Sequence, residues 1–171
     1  MAVTTFDLRN LRLRSGEEHR EDVEVELEPL VLGGQDYAPS PAEVPAHLRV
    51  TRATSGTVLE LSFRARLEGP CFRCLIETAL ELPLDLREYE SSDRSVSDDE
   101  RSEYVTADVV DLSRWARDAV ALALPDKILC RSDCAGLCPV CGKDLNVEPH
   151  VHEEVAADSR WAALEALREE L

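Results

Sequence analysis

Six cysteines and a late pair of histidines constrain this chain more than any other feature. Cys71 and Cys74 form one Cys-x-x-Cys. Cys130, Cys134, Cys138 and Cys141 follow as C-x3-C-x3-C-x-x-C, and His150-Val151-His152 closes the series. A Cys-x-x-Cys lets two thiolates of one tight turn reach a single tetrahedral metal. Two such pairs complete four-coordination, even across a long insert. In Cys138-Pro139-Val140-Cys141-Gly142 the glycine after the second cysteine permits the positive φ that a tight knuckle needs. A site closed by four protein ligands is structural, because no coordination position stays open for substrate.

The eight candidate ligands are therefore Cys71, Cys74, Cys130, Cys134, Cys138, Cys141, His150 and His152. Three partitions are open. Cys71, Cys74, Cys138 and Cys141 can share one ion, leaving Cys130 and Cys134 spare. Cys130, Cys134, Cys138 and Cys141 can close a local site. Cys138 and Cys141 can instead pair with His150 and His152. Zinc is the expected metal. The thiolate count also suits an iron–sulfur cluster, but the Cys-Pro-x-Cys-Gly run leans toward zinc. A redox dithiol is disfavoured, since neither Cys-x-x-Cys opens a helix after a strand in a thioredoxin-like pattern.

The compartment decides how cysteines are used. Residues 1–7 have no basic region followed by an apolar one, and the longest soft stretch, Ala119 to Leu124, is far shorter than a membrane span. A cytoplasmic setting is expected, where thiols stay reduced and point to metal before disulfides. Charge narrows the partners. Thirty-five acids against nineteen bases give a net charge of -16 over 171 residues. Such a chain does not grip nucleic acid through clustered Lys and Arg. It suits a basic partner or a solvated acidic surface.

The first half reads as β-rich. Val23, Val25 and Leu27 alternate with Glu24, Glu26 and Glu28. Gly33-Gly34 breaks the chain, and Pro39, Pro41 and Pro45 predict a loop. Leu48 to Arg52 leads through Ser55-Gly56 into the clearest strand, where Leu59, Leu61, Phe63, Ala65 and Leu67 share a face; together they predict an antiparallel hairpin. After Gly69-Pro70 and the Cys71–Cys74 knuckle, Leu80, Leu82, Leu84 and Leu86 alternate with polar residues. Pro83 among them predicts an edge strand, so the knuckle sits at a hairpin tip. Residues 90–103 carry six acids and five serines with Val96 as the one apolar residue, which predicts a linker or exposed loop. Asp111 caps a helix through Leu112, Trp115, Ala116, Ala119 and Ala123, and Pro125 stops it. A last amphipathic helix is expected from about Asp158 through Trp161, Leu164, Leu167 and Leu171. Trp115 and Trp161 fall on apolar faces and read as core. Arg64 and Arg66 line a polar strand face and read as solvated.

The expected class is α+β: an antiparallel β-sheet, two main helices and a C-terminal zinc-knuckle segment. The expected organisation is a β-rich part over residues 1–90, an acidic linker over 91–107, and a helix, Cys-rich segment and C-terminal helix over 108–171. No phosphate-binding loop, nucleophile elbow or dinucleotide fingerprint occurs.

In order along the chain, Gly69-Pro70-Cys71-Phe72-Arg73-Cys74-Leu75, Val110-Asp111-Leu112, Ala121-Leu122-Ala123-Leu124-Pro125, Cys130, Cys134, Gly136-Leu137-Cys138-Pro139-Val140-Cys141-Gly142 and Asp144-Leu145-Asn146 resemble the bacterial family of large-subunit ribosomal RNA accumulation proteins. The resemblance implies a role in the build-up of large-subunit ribosomal RNA and in ribosome biogenesis, in a family with no established catalytic activity. Many relatives carry Cys-x-Cys where this chain has His150-Val151-His152, a swap that keeps two ligands.

The expectation is thus a zinc-stabilised, non-enzymatic assembly factor whose partner is a ribosomal protein or assembly intermediate, with no membrane and no small-molecule substrate. One rival is a nucleic-acid-binding zinc module; against it, residues 130–152 hold only Arg131 and Lys143 as bases. The other is a thiol-disulfide protein using Cys71 and Cys74.

Overall fold

The computed structural model describes residues 4–93, 95, 97 and 101–152. Two compact units follow one another, residues 1–134 and 135–171.

The first unit is built on an antiparallel sheet. Its strands are β1 (Thr5–Asp7), β2 (Glu18–Glu26), β3 (Leu30–Leu32), β4 (Gln35–Pro39), β5 (Glu43–Arg52), β6 (Gly56–Pro70), β7 (Glu77–Ser91), β8 (Val105–Thr106) and β9 (Val109–Asp111). Strand β6 is central. It pairs with β7 over its whole length, from Gly56↔Ser91 to Pro70↔Glu77. Its other edge is shared by β5, from Thr57 to Phe63, and β4, at Leu67 and Glu68. Strand β2 lies outside β5 and β3 outside β4. A small second sheet runs β1-β9-β8.

The alternation of β6 explains its position. Leu59, Leu61, Phe63, Ala65 and Leu67 are all buried, with Val25, Ala46, Leu48 and Val50 from neighbouring strands on the same face. Each fully buried Leu contributes on the order of 1.5–3 kcal/mol, so this face sets the register: a slip by one residue would turn every one of them to water. The helix α1 (Leu112–Ala123) covers the core with Leu112, Trp115, Ala116 and Val120, and the Asp111 carboxylate accepts from the Arg114 amide at 2.9 Å as its cap. Arg64 and Arg66 are exposed, with Arg66 paired to Glu68 at 2.9 Å.

Three expectations change. Among the described residues α1 is the one α-helix, so the class is mainly antiparallel sheet with a single helix. The helix expected from Asp158, with Trp161, lies outside the described residues. Pro39 and Pro45 are strand residues, and only residues 40–42 connect β4 to β5. Pro45 opposes Glu24 of β2, while the ladder to β6 begins at Ala46, so its missing N–H costs no bond on that side. Finally, Glu90 is not on an exposed loop. It is the penultimate residue of β7, 8% exposed, and accepts from the Arg101 guanidinium at 2.8 Å and the Ser102 amide at 3.1 Å. Pro83 does mark an edge: β7 pairs with β6 alone among the described strands.

Candidate metal centres

The first knuckle is the tip of the β6–β7 hairpin. Gly69 brings β6 close to β4, where an added Cβ would lie 2.5 Å from the Tyr37 ring and 2.6 Å from the Asp36 carbonyl. The Tyr37 hydroxyl donates to the Pro70 carbonyl at 2.8 Å, fixing the chain one residue before Cys71. The turn is then closed by its own backbone. The Cys71 amide donates to the Ile76 carbonyl at 2.8 Å and the Leu75 amide to the Cys71 carbonyl at 3.0 Å. Leu75 takes φ 62.

Opposite the tip lies the segment that follows α1. The Phe72 amide donates to the Ile128 carbonyl at 2.8 Å, and the Arg73 guanidinium donates to the Cys134 carbonyl at 2.6 Å. These bonds bring Cys130 and Cys134 against the knuckle. The Cys71 and Cys134 sulfurs are 3.8 Å apart, those of Cys74 and Cys130 3.6 Å, and all four lie within 4.8 Å of one another. Four thiolates about 2.3 Å from a central zinc form a tetrahedron with edges of about 3.8 Å. A disulfide needs about 2.05 Å, and all six cysteines are free. The sulfur set therefore fits a tetrahedral metal.

Electrostatics point the same way. Burial pushes the Cys71 thiol up, but the amides of Cys74, Cys130 and Arg73 aimed at its sulfur outweigh this and bring it to about 6. Burial raises the Cys74 thiol, and burial with the neighbouring sulfurs drives Cys130 up to about 12. Four anions this close in a buried space do not coexist without a cation among them. A dication would displace the remaining protons.

The second group belongs to the second unit. The Cys138 amide donates to the Lys143 carbonyl and the Gly142 amide to the Cys138 carbonyl, both at 2.8 Å. This repeats the first knuckle bond for bond, with Gly142, at φ 74, standing where Leu75 stands. The Cys138 thiol falls to about 6, drawn down first by the Cys141 amide against the effect of burial. The Cys141 sulfur is 3.1 Å from His150 Nε2. His150 Nδ1 lies 2.7 Å from the Glu148 carbonyl, which can only accept, so Nδ1 carries a proton and Nε2 is the nitrogen that faces the Cys141 sulfur. Cys138, Cys141, His150 and His152 each place a donor atom within 4.8 Å of the others. A thiol beside an imidazole is also the geometry of a nucleophile and its base. The convergence of Cys138 and His152 on the same point favours a metal.

All eight candidate ligands thus fall into two groups. The pairing of Cys138 and Cys141 with His150 and His152 is one of the three partitions open from sequence. The meeting of Cys71 and Cys74 with Cys130 and Cys134 is not among them; it depends on contacts between segments more than fifty residues apart. Arg73, Asp144 and Asn146 enter the sequence reading only within the family resemblance; the bonds they make are not legible there. The Asn146 side-chain oxygen accepts from the Ala135 amide at 2.8 Å, while the Asn146 backbone amide and side-chain amide both donate to the Asp144 carboxylate, at 2.8 and 2.6 Å.

A family profile described as large ribosomal RNA subunit accumulation protein YceD matches residues 59–168, a span that contains both groups. The chain belongs to the YceD family. An uncharacterized protein of Mycobacterium tuberculosis and one of Mycobacterium bovis are each 37% identical over 122 residues, covering 68% of this chain. An uncharacterized protein of Mycobacterium leprae is 30% identical over 128 residues, covering 72% of this chain. The chain spans 58% of the length of each of these curated relatives. No solved structure matches it. No described helix is long and apolar enough to cross a membrane.

Proposed function

We propose that this YceD-family chain is a cytoplasmic, non-enzymatic factor that supports accumulation of large-subunit ribosomal RNA, and that zinc held by Cys71, Cys74, Cys130 and Cys134 is its structural staple. The observation that carries the functional part is the family match over residues 59–168. The staple is supported by sulfur spacings that suit a zinc tetrahedron. Four thiolates would leave no open position, which favours structure over catalysis. The ion would join the hairpin tip to the segment after α1, and its binding energy would add directly to folding.

A basic ribosomal protein is the partner that suits a net charge of -16. Direct RNA binding has one observation on its side. The strand register aligns Arg20, Arg49 and Arg87 across the open face of the sheet. Yet Glu60 stands in the same row, 2.7 Å from Arg49, and Asp22 and Asp85 line the same shallow cavity. The basic row is internally neutralised, which leaves the protein partner favoured.

The test is genetic and biochemical. Loss of the gene should lower large-subunit against small-subunit ribosomal RNA, and the wild-type chain, but not Cys71→Ser, should restore it. An unchanged ratio would overturn the functional reading. Purified chain should retain basic ribosomal proteins after nuclease treatment; retention of RNA after those proteins are stripped would replace the protein partner with RNA.

A further inference from the structure

Residues 135–152 hold their shape with almost no buried apolar surface. Among them only Gly136 and Cys138 are buried, while Val140, Val147 and Val151 are 65%, 82% and 96% exposed. They contain no helix or strand, and one isolated bridge, Leu137↔Asp144, joins their two arms. Ordering a backbone costs about 1–2 kcal/mol per residue. Segments this short, lacking a hydrophobic core, need a disulfide, a metal or a partner to stay folded.

The backbone is nevertheless arranged in detail. The Leu145 amide donates to the Gly136 carbonyl at 2.9 Å, and the amides of Val147 and Glu148 donate to the Asp144 carbonyl at 3.2 and 3.0 Å. Lys143 Nζ holds the Glu148 carboxylate at 2.9 Å. The Glu148 carbonyl in turn orients the His150 ring, so the turn delivers Nε2 to the knuckle. The chain of bonds runs through Asp144 and Glu148 to His150, and these exposed bonds contribute little net stability by themselves.

We infer that residues 135–152 are a metal-dependent fold, in which one zinc ion bound by Cys138, Cys141, His150 and His152 takes the place of a hydrophobic core and binds independently of the ion at Cys71, Cys74, Cys130 and Cys134. Two thiolates with two imidazoles are a structural zinc donor set. The accessibility of the two groups differs. Cys71, Cys74 and Cys134 are buried, whereas Cys141 and His152 are exposed, so a chelator reaches the second ion first. The inference does not depend on occupancy of the first group, with which it shares no ligand.

Zinc-loaded full chain is titrated with EDTA and followed by native mass spectrometry and amide NMR. The expected result is loss in two steps. In the first, one ion leaves, and amides of residues 135–152 collapse to unfolded shifts while those of β5, β6 and β7 are unmoved. The double variant Cys141→Ser/His150→Ala should bind one zinc instead of two, with the sheet's thermal transition unchanged; Cys71→Ser should lose the other ion and keep the 135–152 signals. Folded signals in 135–152 after metal removal would overturn the inference, as would simultaneous release of both ions or a double variant that still binds two. A Cys71→Ser chain that binds as much zinc as wild type would count against the staple alone.

Discussion

The two knuckles share one backbone and stand in opposite surroundings. In each, the first cysteine amide donates to a carbonyl five residues on, and the amide after the second cysteine donates back to the first cysteine carbonyl. The first crowns a hairpin of fifteen ladder pairs and faces a segment fastened by Phe72 and Arg73. The second rests on a short turn with little buried around it. With the proposed ions bound, the same local turn would serve two energetic roles. Under a formed core a metal adds to a fold that already has its shape, and without one it decides whether there is a fold.

The largest effect should come from breaking the first group. Cys134→Ser removes a buried thiol from the proposed four-sulfur site, and should cost more than about 4 kcal/mol by chemical denaturation, with loss of one zinc. Next comes the support beneath that knuckle. Gly69→Ala drives a methyl group into Tyr37 and the Asp36 carbonyl, and overpacking of this kind costs about 1–3 kcal/mol. The urea midpoint should fall with the zinc count unchanged.

The residue after each second cysteine sharpens the comparison further. Gly142→Ala places a side chain at φ 74, a strain of about 1–2 kcal/mol. Because residues 135–152 bury little apolar surface, the strain should appear as a roughly tenfold weaker zinc affinity, measured by competition with a chromogenic chelator. Leu75→Gly is the reverse exchange. It relieves similar strain at φ 62 but frees the unfolded chain, so the net gain should be under about 1 kcal/mol, seen as a small rise in melting temperature.

The parts legible in the sequence are those whose cause is local. The alternation of Leu59 to Leu67 announces a half-buried strand because strand side chains repeat every two residues. Pro83 announces an edge, and Asp111 with Pro125 brackets the helix. The Gly69-Pro70 break places the first knuckle on a hairpin tip. What stayed hidden depends on distant segments. Thr5–Asp7 pairs with Val109–Asp111, and three-residue strands carry no periodicity to read. Pro45 looks like a loop residue until the ladder beside it is seen to begin at Ala46. Cys130 and Cys134 look like the start of a local cluster with Cys138 and Cys141; their turn toward Cys71 and Cys74 is decided by the Phe72–Ile128 and Arg73–Cys134 bonds. The second group was legible as a partition because its four ligands lie within fifteen residues.

The proline in β7 has a consequence for how copies of this molecule meet. A fifteen-residue strand paired on one side alone among the described strands is a template on which another chain can polymerise. Pro83 interrupts its row of donors near the middle, and Glu81 and Asp85 stand two residues to either side. An incoming strand would meet a missing hydrogen bond flanked by two carboxylates. Resistance to fibril growth is in this way built into the longest hairpin, independently of the charge carried by the rest of the surface.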